Sequence, residues 1–183
     1  MRVEEGPLPG LKLFYPKVWG DARGSFYEIF RSNEFQKWGI PPLPQDNVAQ
    51  SSRGILRGLH FQRPPCAQGK LVAVLHGCVL DVAVDIRVGS PTYGKHAVLE
   101  LDAQHPTLLW VPAGFAHGYE VLSERALFFY KVSSYYSPDH EHGLPWNDPQ
   151  LAIPWQSPAP ILSGRDQHWP AFQQFQSPFT YPS

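Results

Sequence analysis

Cysteine is scarce. The 183 residues contain two, Cys66 and Cys78, too few for a disulfide framework, so a hydrophobic core must hold the fold. No apolar run approaches the roughly 20 residues that a membrane-crossing helix needs, and no membrane association is expected. The opening MRVEEGPLPG lacks the apolar stretch of a secretory signal, and the cytoplasm is the expected compartment. Charge of one sign is missing too: 15 Lys and Arg against 16 Asp and Glu give a formal net charge of −1. Wholesale binding of nucleic acid or an anionic membrane therefore has no electrostatic support, and any anion has to be met locally. Helical periodicity is nearly absent. Its one clear instance is SNEFQKWG, expected with Ser32 as N-cap and Gly39 as C-terminal stop.

What the chain has instead is 20 prolines, 15 glycines and 14% aromatic residues, a composition suited to short strands joined by tight turns. In KLVAVLHGCVLDVAVDIRV, Leu80, Val82, Val84 and Ile86 alternate with Asp81, Ala83, Asp85 and Arg87. This period of two predicts a strand with one face in the core and a charged face whose default place is a solvated or salt-bridged surface; the alternative is a polar interior in which one of Asp81, Asp85 and Arg87 orients His117 or Tyr130. LKLFYPK, SFYEIF, SSRGILRGLHF, HAVLEL, TLLWVP, HGYEVL and RALFFYKVSS are further strand candidates. An all-β, antiparallel sandwich or barrel follows. The length fits a single domain over 1–183. After Pro138 the composition predicts irregular segments that wrap the sheet, with 170–183 an irregular C-terminal tail whose last dozen residues are candidates for mobility.

Five stretches carry polar groups that a plain sandwich does not need: DARGSFYE, LRGLHFQ, PAGFAHG, FFYKVSSYY and LSGRD. In RGILRGLHFQ, Arg57 lies three residues before His60, which places them on opposite faces of an ideal strand. Gly58 between them predicts a bulge that turns both toward one cavity. Arg53 reads as a surface charge. PAGFAH resembles the second motif of cupin barrels, which implies a jelly roll and raises the question of a metal. A cupin of the common metal type carries a His-x-His pair followed by a Glu. Here the pair is His60 and Gln62, and no Glu follows between Phe61 and Leu99, so no metal is expected.

DARGSFYEIF, QDNVAQSSRGILRGLHFQ, GKLVAVLHGCVLDVAVDIRVGSPTYGK, VPAGFAHGYEVLSE, FFYKVSSYYSPDHEHGLPWNDP and LSGRD together resemble the dTDP-4-dehydrorhamnose 3,5-epimerase family, in the same order and over about residues 5–170. The resemblance implies a cupin-like jelly roll, homodimeric, that epimerises a dTDP-linked 4-keto-6-deoxyhexose without cofactor on the route to L-rhamnose or related sugars. It also implies roles for individual residues. His60 matches the base, and imidazole suits that task because it titrates near neutrality. Asp166 matches the carboxylate that pairs with it, Tyr130 the proton donor, and Lys70 a cation placed to neutralise a developing enolate. Arg57, turned inward by the bulge, suits a bidentate grip on the diphosphate, while His117 matches a contact near the sugar and Tyr136 an aromatic that stacks on the base. Gln45, Asn47 and Glu141 match further substrate contacts. Arg23, Phe26 and Glu28 match residues that reach across from a neighbouring subunit, which implies exchange of an N-terminal strand. The family commonly has Lys before the dyad aspartate, whereas this chain has Arg165, a cation of different reach and geometry.

Three other readings stand beside this one. A mono-epimerase would invert only C3 or C5. A metal-dependent cupin would retain a stoichiometric ion. A nucleotide-sugar binding module would perform no chemistry.

Overall fold

The computed structural model describes residues 1–181. Four short strands, β1 (Arg2–Glu5), β2 (Lys12–Tyr15), β3 (Trp19–Asp21) and β4 (Gly24–Phe26), precede one helix, α1 (Ser32–Gln36). Then come β5 (Gln45–Ser52), β6 (Leu56–Gln62), β7 (Lys70–His76), β8 (Cys78–Asp85), β9 (His96–Asp102), β10 (Leu108–Val111), β11 (Phe115–Val121), β12 (Arg125–Val132) and β13 (Glu141–Gly143). Strands β1-β2-β10-β7-β12-β5 form one sheet and β13-β6-β11-β8-β9 a second, while among the described residues β3 and β4 pair only with each other. Among the described residues every pairing between these strands is antiparallel, with isolated parallel bridges at Ile55–Ile161 and Val88–Thr180, and the two large sheets pack face to face as the expected cupin-like jelly roll.

The core has three parts. Between the sheets, Val72, Val74, Leu109 and Phe128 of the first meet Val79, Ala83, Tyr119 and Val121 of the second. Outside the first sheet, Phe35 of α1 and Ile40 pack on Phe14, Leu71, Leu108 and Trp110. Outside the second, Leu151 and Phe172 from the C-terminal chain cover Leu59, Val82, Val84 and Ile86. No helix of the described residues is long and apolar enough to cross a membrane.

Several expectations are corrected. The charged face of β8 is not at the surface: Asp81 and Asp85 are fully buried and Arg87 nearly so. The C-terminal chain covers the Val82 and Val84 face, so the alternate face, with Asp81 and Ala83, is the one that looks between the sheets. Asp85 accepts Arg87 Nη2 at 2.7 Å, Ser90 Oγ at 2.6 Å and Thr92 Oγ1 at 2.6 Å. Burial alone would raise its pKa, but these donors together hold it below the usual carboxylate range. Ser32 does not cap α1; it is the first helical residue, Arg31 occupies the cap position, and no side chain bonds there. The turn at Gly39 does follow the helix, with φ of +78°. Of SFYEIF only Ser25 and Phe26 are in a strand, because Ile29 and Phe30 turn away to pack outside the first sheet. SSRGILRGLHF is split between β5 and β6 by the turn at Arg53–Ile55, and Arg53 is exposed as expected.

The C-terminal segment wraps the second sheet, as expected, and it is anchored. Asp148 accepts the backbone N–H of Phe172 at 2.8 Å, and Val88 exchanges backbone bonds with Phe179 and Tyr181, each at 2.9 Å. Of the expected tail, 182 and 183 lie outside the described residues.

The pairing of β6 with β11 positions the site. His60 faces His117 and Arg57 faces Tyr119, so three steps along β6 match two along β11. The bulge expected at Gly58 is therefore present. Its φ is +134°, a region that side chains rarely adopt, and an added Cβ would meet Gly118 Cα at 2.5 Å. Gly58→Ala is expected to cost about 1–3 kcal/mol of stability, read as a lowered urea midpoint at unchanged slope. A midpoint equal to the wild type would show that the close approach is not constraining.

Candidate active site

Between the sheets lies a cavity of about 590 Å³. Its lining follows from the period of two. Gln45, Asn47 and Ala49 come from successive inward positions of β5, and Phe128 and Tyr130 from β12, with Lys70 at the start of β7. The opposite wall is Arg57, His60 and Gln62 of β6, His117 and Tyr119 of β11, and Glu141 of β13. The chain beyond the sheets adds Tyr136, Ser163, Arg165 and Asp166. Eleven sequence-predicted residues thus converge: His60, Lys70, Tyr130, Asp166, Gln45, Asn47, Arg57, His117, Tyr136, Glu141 and Arg165.

Three do not. Arg23, Phe26 and Glu28 lie on or just after the β3–β4 hairpin, outside the cavity. Arg23 ion-pairs with Asp21, Glu28 accepts Arg31 Nη2 at 2.6 Å, and Phe26 is 68% exposed beside the half-exposed Trp19.

His60 Nε2 lies 2.5 Å from Asp166 Oδ1. Asp166 is buried, and burial by itself would raise its pKa. The hydrogen bond and charge of His60, with lesser help from Trp169 and Ser163, outweigh this and hold it below the usual range. With the carboxylate ionised, Nε2 must donate, which leaves Nδ1 as the lone-pair nitrogen of a neutral imidazole. Trp169 packs edge-on to the His60 ring, with centroids 6.3 Å apart, and donates its indole N–H to Asp166 at 3.3 Å. Ring and carboxylate are therefore both fixed.

A second imidazole is held in the same manner. His117 Nε2 is 3.0 Å from both oxygens of Asp81, and both residues are buried. Of the three charged residues of the β8 alternation, Asp81 is the one that reaches the site. Its charge also acts on Lys70, whose Nζ donates to the His60 carbonyl at 3.3 Å. Burial pushes the Lys70 ammonium down to about 8, with Asp81 opposing the change. Tyr130 is pushed up by burial, against Arg57, and so carries its proton throughout the neutral range.

At the rim, Tyr136 donates to Glu141 at 2.6 Å, Arg165 ion-pairs with the same carboxylate, and Gln45 accepts the Tyr136 backbone N–H at 2.9 Å. Arg57 donates Nε to Ser51 Oγ at 3.1 Å. Among the described residues, neither Arg57 nor Lys70 has a carboxylate within salt-bridge distance. Two uncompensated cations in one cavity suit an anionic ligand with developing negative charge. Gln62, where a metal cupin has its second histidine, spends its amide on the backbone, donating to the Cys66 and Tyr135 carbonyls and accepting from Ser137 N.

Sequence reasoning passed over Tyr119, Ser51, Phe128 and Trp169. Tyr119 was within reach, being two residues beyond His117 on one strand and hence on the same face. Trp169 gave no such signal, because it belongs to an irregular segment.

The Lys70 environment fixes a pH dependence. The unfolded chain holds this proton up to about pH 10.5, the folded chain only to about 8. Between those values the unfolded state binds more protons, so this group's contribution makes stability rise with pH. Lys70→Met is expected to lose that rise, read by denaturant titration of both proteins from pH 7 to 10.5. Parallel profiles would show that Lys70 does not titrate in this window.

Comparison with known proteins now identifies the frame. A sequence model of the dTDP-4-dehydrorhamnose 3,5-epimerase family matches residues 5–174. The chain is similar to the dTDP-4-dehydrorhamnose 3,5-epimerase of Pseudomonas aeruginosa, 46% identical over 94% of this chain and 96% of that protein. It is similar to the crystal structure of a dTDP-6-deoxy-D-glucose-3,5-epimerase from Legionella pneumophila in complex with dTDP-4-keto-L-rhamnose. There the TM-score is 0.95 and the identity 41%, over 100% of this chain and 99% of that one. It is also similar to ChmJ, a 3'-monoepimerase from Streptomyces bikiniensis in complex with dTDP-quinovose, with a TM-score of 0.86 and 36% identity over 91% of this chain and 86% of that one. With the family pattern matched over nearly the whole length and relatives equally well covered, the chain belongs to the dTDP-4-dehydrorhamnose 3,5-epimerase family.

Proposed function

We propose that the chain epimerises dTDP-4-dehydro-6-deoxyglucose at C3 and C5, giving dTDP-4-dehydro-L-rhamnose. The observation that carries this reading is the disposition of acid and base. The His60–Asp166 pair stands on one wall of the cavity, and Tyr130 on the other, with Lys70 beside the base. Inversion next to a ketone needs a base on one face of the carbon, a proton donor on the opposite face and a cation at the oxygen.

Bound in the cavity, the sugar presents C3–H or C5–H to His60 Nδ1. The C–H electron pair moves into the ring carbons as the C4 oxygen becomes an enolate. Asp166 stabilises the imidazolium that forms and keeps its orientation, without taking the proton. The Lys70 ammonium faces the enolate oxygen, and its lowered pKa leaves it charged only up to about 8 in the empty site. Tyr130 returns a proton from the opposite wall, completing the inversion. As the ketone re-forms, the electron pair returns to the carbon and takes up the Tyr130 proton; the His60 imidazolium then releases its proton to solvent and the tyrosinate takes one up, so both groups are reset before the next inversion. Arg57 holds the diphosphate by charge-assisted bonds, and Tyr136 offers its ring to the base. Gln45, Asn47, Glu141 and Arg165 line the approach, and His117, oriented by Asp81, contacts the sugar.

The nucleotide end is completed from outside the chain. Among the described residues the β3–β4 hairpin pairs with no other strand, and it carries exposed Trp19 and Phe26 beside Arg23. In a homodimer this hairpin brings Arg23, Phe26 and Glu28 to the partner's cavity, which supports subunit exchange near the N-terminus. The anchoring of the C-terminal segment onto the second sheet supports one domain over the whole chain. Two free cysteines support a cytoplasmic location.

Proton NMR with dTDP-4-dehydro-6-deoxyglucose in heavy water is expected to show deuterium entering at both C3 and C5 with inverted products. Inversion at one carbon alone would move the chain to the mono-epimerases, and no exchange from ligand-binding protein would overturn the enzymatic reading. His60→Ala is expected to lower kcat by at least about 10²-fold, with dTDP affinity preserved.

Arg23→Ala is expected to raise the substrate concentration required while sparing kcat. Sedimentation of the wild type should report a dimer; a fully active monomer would overturn the role of the hairpin.

A further inference from the structure

One group in the cavity is left over by this mechanism. Tyr119 is 5% exposed and lines the cavity, and its hydroxyl is the one buried side-chain polar atom among the described residues that lacks a hydrogen-bond partner. A phenol left unpaired in a dry site is costly, and natural folds keep few such groups without a use. Its ring is fixed by stacking on Phe128, with centroids 3.9 Å apart and planes 16° from parallel. Phe128 in turn lies 6.1 Å from the Tyr130 ring. On its own strand Tyr119 is two residues from His117, and across the bulge it faces Arg57. Ser51, whose oxygen accepts from Arg57, also acts on the Tyr119 phenol as a hydrogen-bonding neighbour, although no bond of normal geometry joins the two hydroxyls. Burial pushes the Tyr119 phenol up to about 12, with Arg57 and Ser51 working the other way, so it remains an O–H at any working pH.

We propose that Tyr119 is a substrate-recognition residue, whose hydroxyl donates a hydrogen bond to an oxygen of the bound hexosyl diphosphate at the end of the cavity marked by Arg57. The inference rests on the sugar-nucleotide reading of the site and adds to it a rigid neutral donor. A ligand oxygen would give this hydroxyl the acceptor that no protein group supplies with normal geometry, at the modest net gain of a neutral hydrogen bond. The acceptor belongs either to the diphosphate held by Arg57 or to the hexose beside Tyr130 and His117.

Tyr119→Phe tests this, since it removes the oxygen and keeps the stacked ring. The expected result is a melting temperature equal to or above that of the wild type, with kcat/KM for dTDP-4-dehydro-6-deoxyglucose lowered about 3- to 30-fold. Calorimetric titration with dTDP alone locates the acceptor. A matching loss of dTDP affinity assigns it to the diphosphate, and unchanged dTDP affinity assigns it to the hexose. Two outcomes overturn the inference: unchanged kcat/KM in a variant of normal stability, or a melting temperature lowered by several degrees, which would make the hydroxyl a structural group. A wild-type protein that fails to turn over the sugar would instead refute the functional reading itself, and is seen in the same assay before the variant is compared.

Discussion

Where β6 passes β11, Gly58 and Gly118 come so close that neither position has room for a Cβ, and three residues of one strand are matched to two of the other. A regular ladder would send Arg57 and His60 to opposite faces. The slip turns both toward the space between the sheets, so a guanidinium and an imidazole share one cavity. It also sets His117 opposite His60 and Tyr119 opposite Arg57. The site's other contacts, from the Asp166 pairing to the position of Lys70 near the His60 carbonyl, are arranged around that local geometry.

The same cavity is an electrostatic compromise. Asp81, Asp85, Asp166 and His117 are all buried, and each has partners that repay its desolvation. Among the described residues, Arg57 and Lys70 have no carboxylate within salt-bridge distance, and the Tyr119 hydroxyl has no partner. The distinction separates scaffold from site. Asp85 with Arg87, Ser90 and Thr92 closes a network at the end of β8, and Asp148 holds the C-terminal chain in place, so both contribute to the fold. The unsatisfied groups cluster where an anionic, oxygen-rich ligand fits, and a protein that leaves such groups open accepts lower stability in exchange for preorganised contacts.

Likeness to both 3,5-epimerases and a 3'-monoepimerase sets a limit on what the architecture decides. One base and one proton donor on fixed walls can serve two carbons, provided that the sugar turns between them. How many centres are inverted then depends on how the ring is held, and hence on neutral contacts around it more than on the dyad.

The all-β class, the strand-rich middle of the chain, the bulge at Gly58 and eleven residues of the cavity were legible in the sequence. The first three leave a local signature in alternation, turn residues or a glycine between two functional side chains, whereas most of the cavity residues were reached through the motifs that carry the family resemblance. The surface reading of Asp81, Asp85 and Arg87 failed for a reason that is not local. Alternation tells which residues share a face, but which face is covered depends on the C-terminal chain lying over Val82 and Val84, more than sixty residues away in sequence. For the same reason Trp169 went unnoticed and Tyr119 was left out, since neither an indole bond to Asp166 nor a missing hydroxyl partner exists until distant segments pack. Sequence by itself determined the strands, their facing and the chemical inventory of the site. Tertiary structure alone decided which faces are dry, which charges are paired and which polar groups remain open to a ligand, because burial and pairing are properties of packed segments and not of the chain between them.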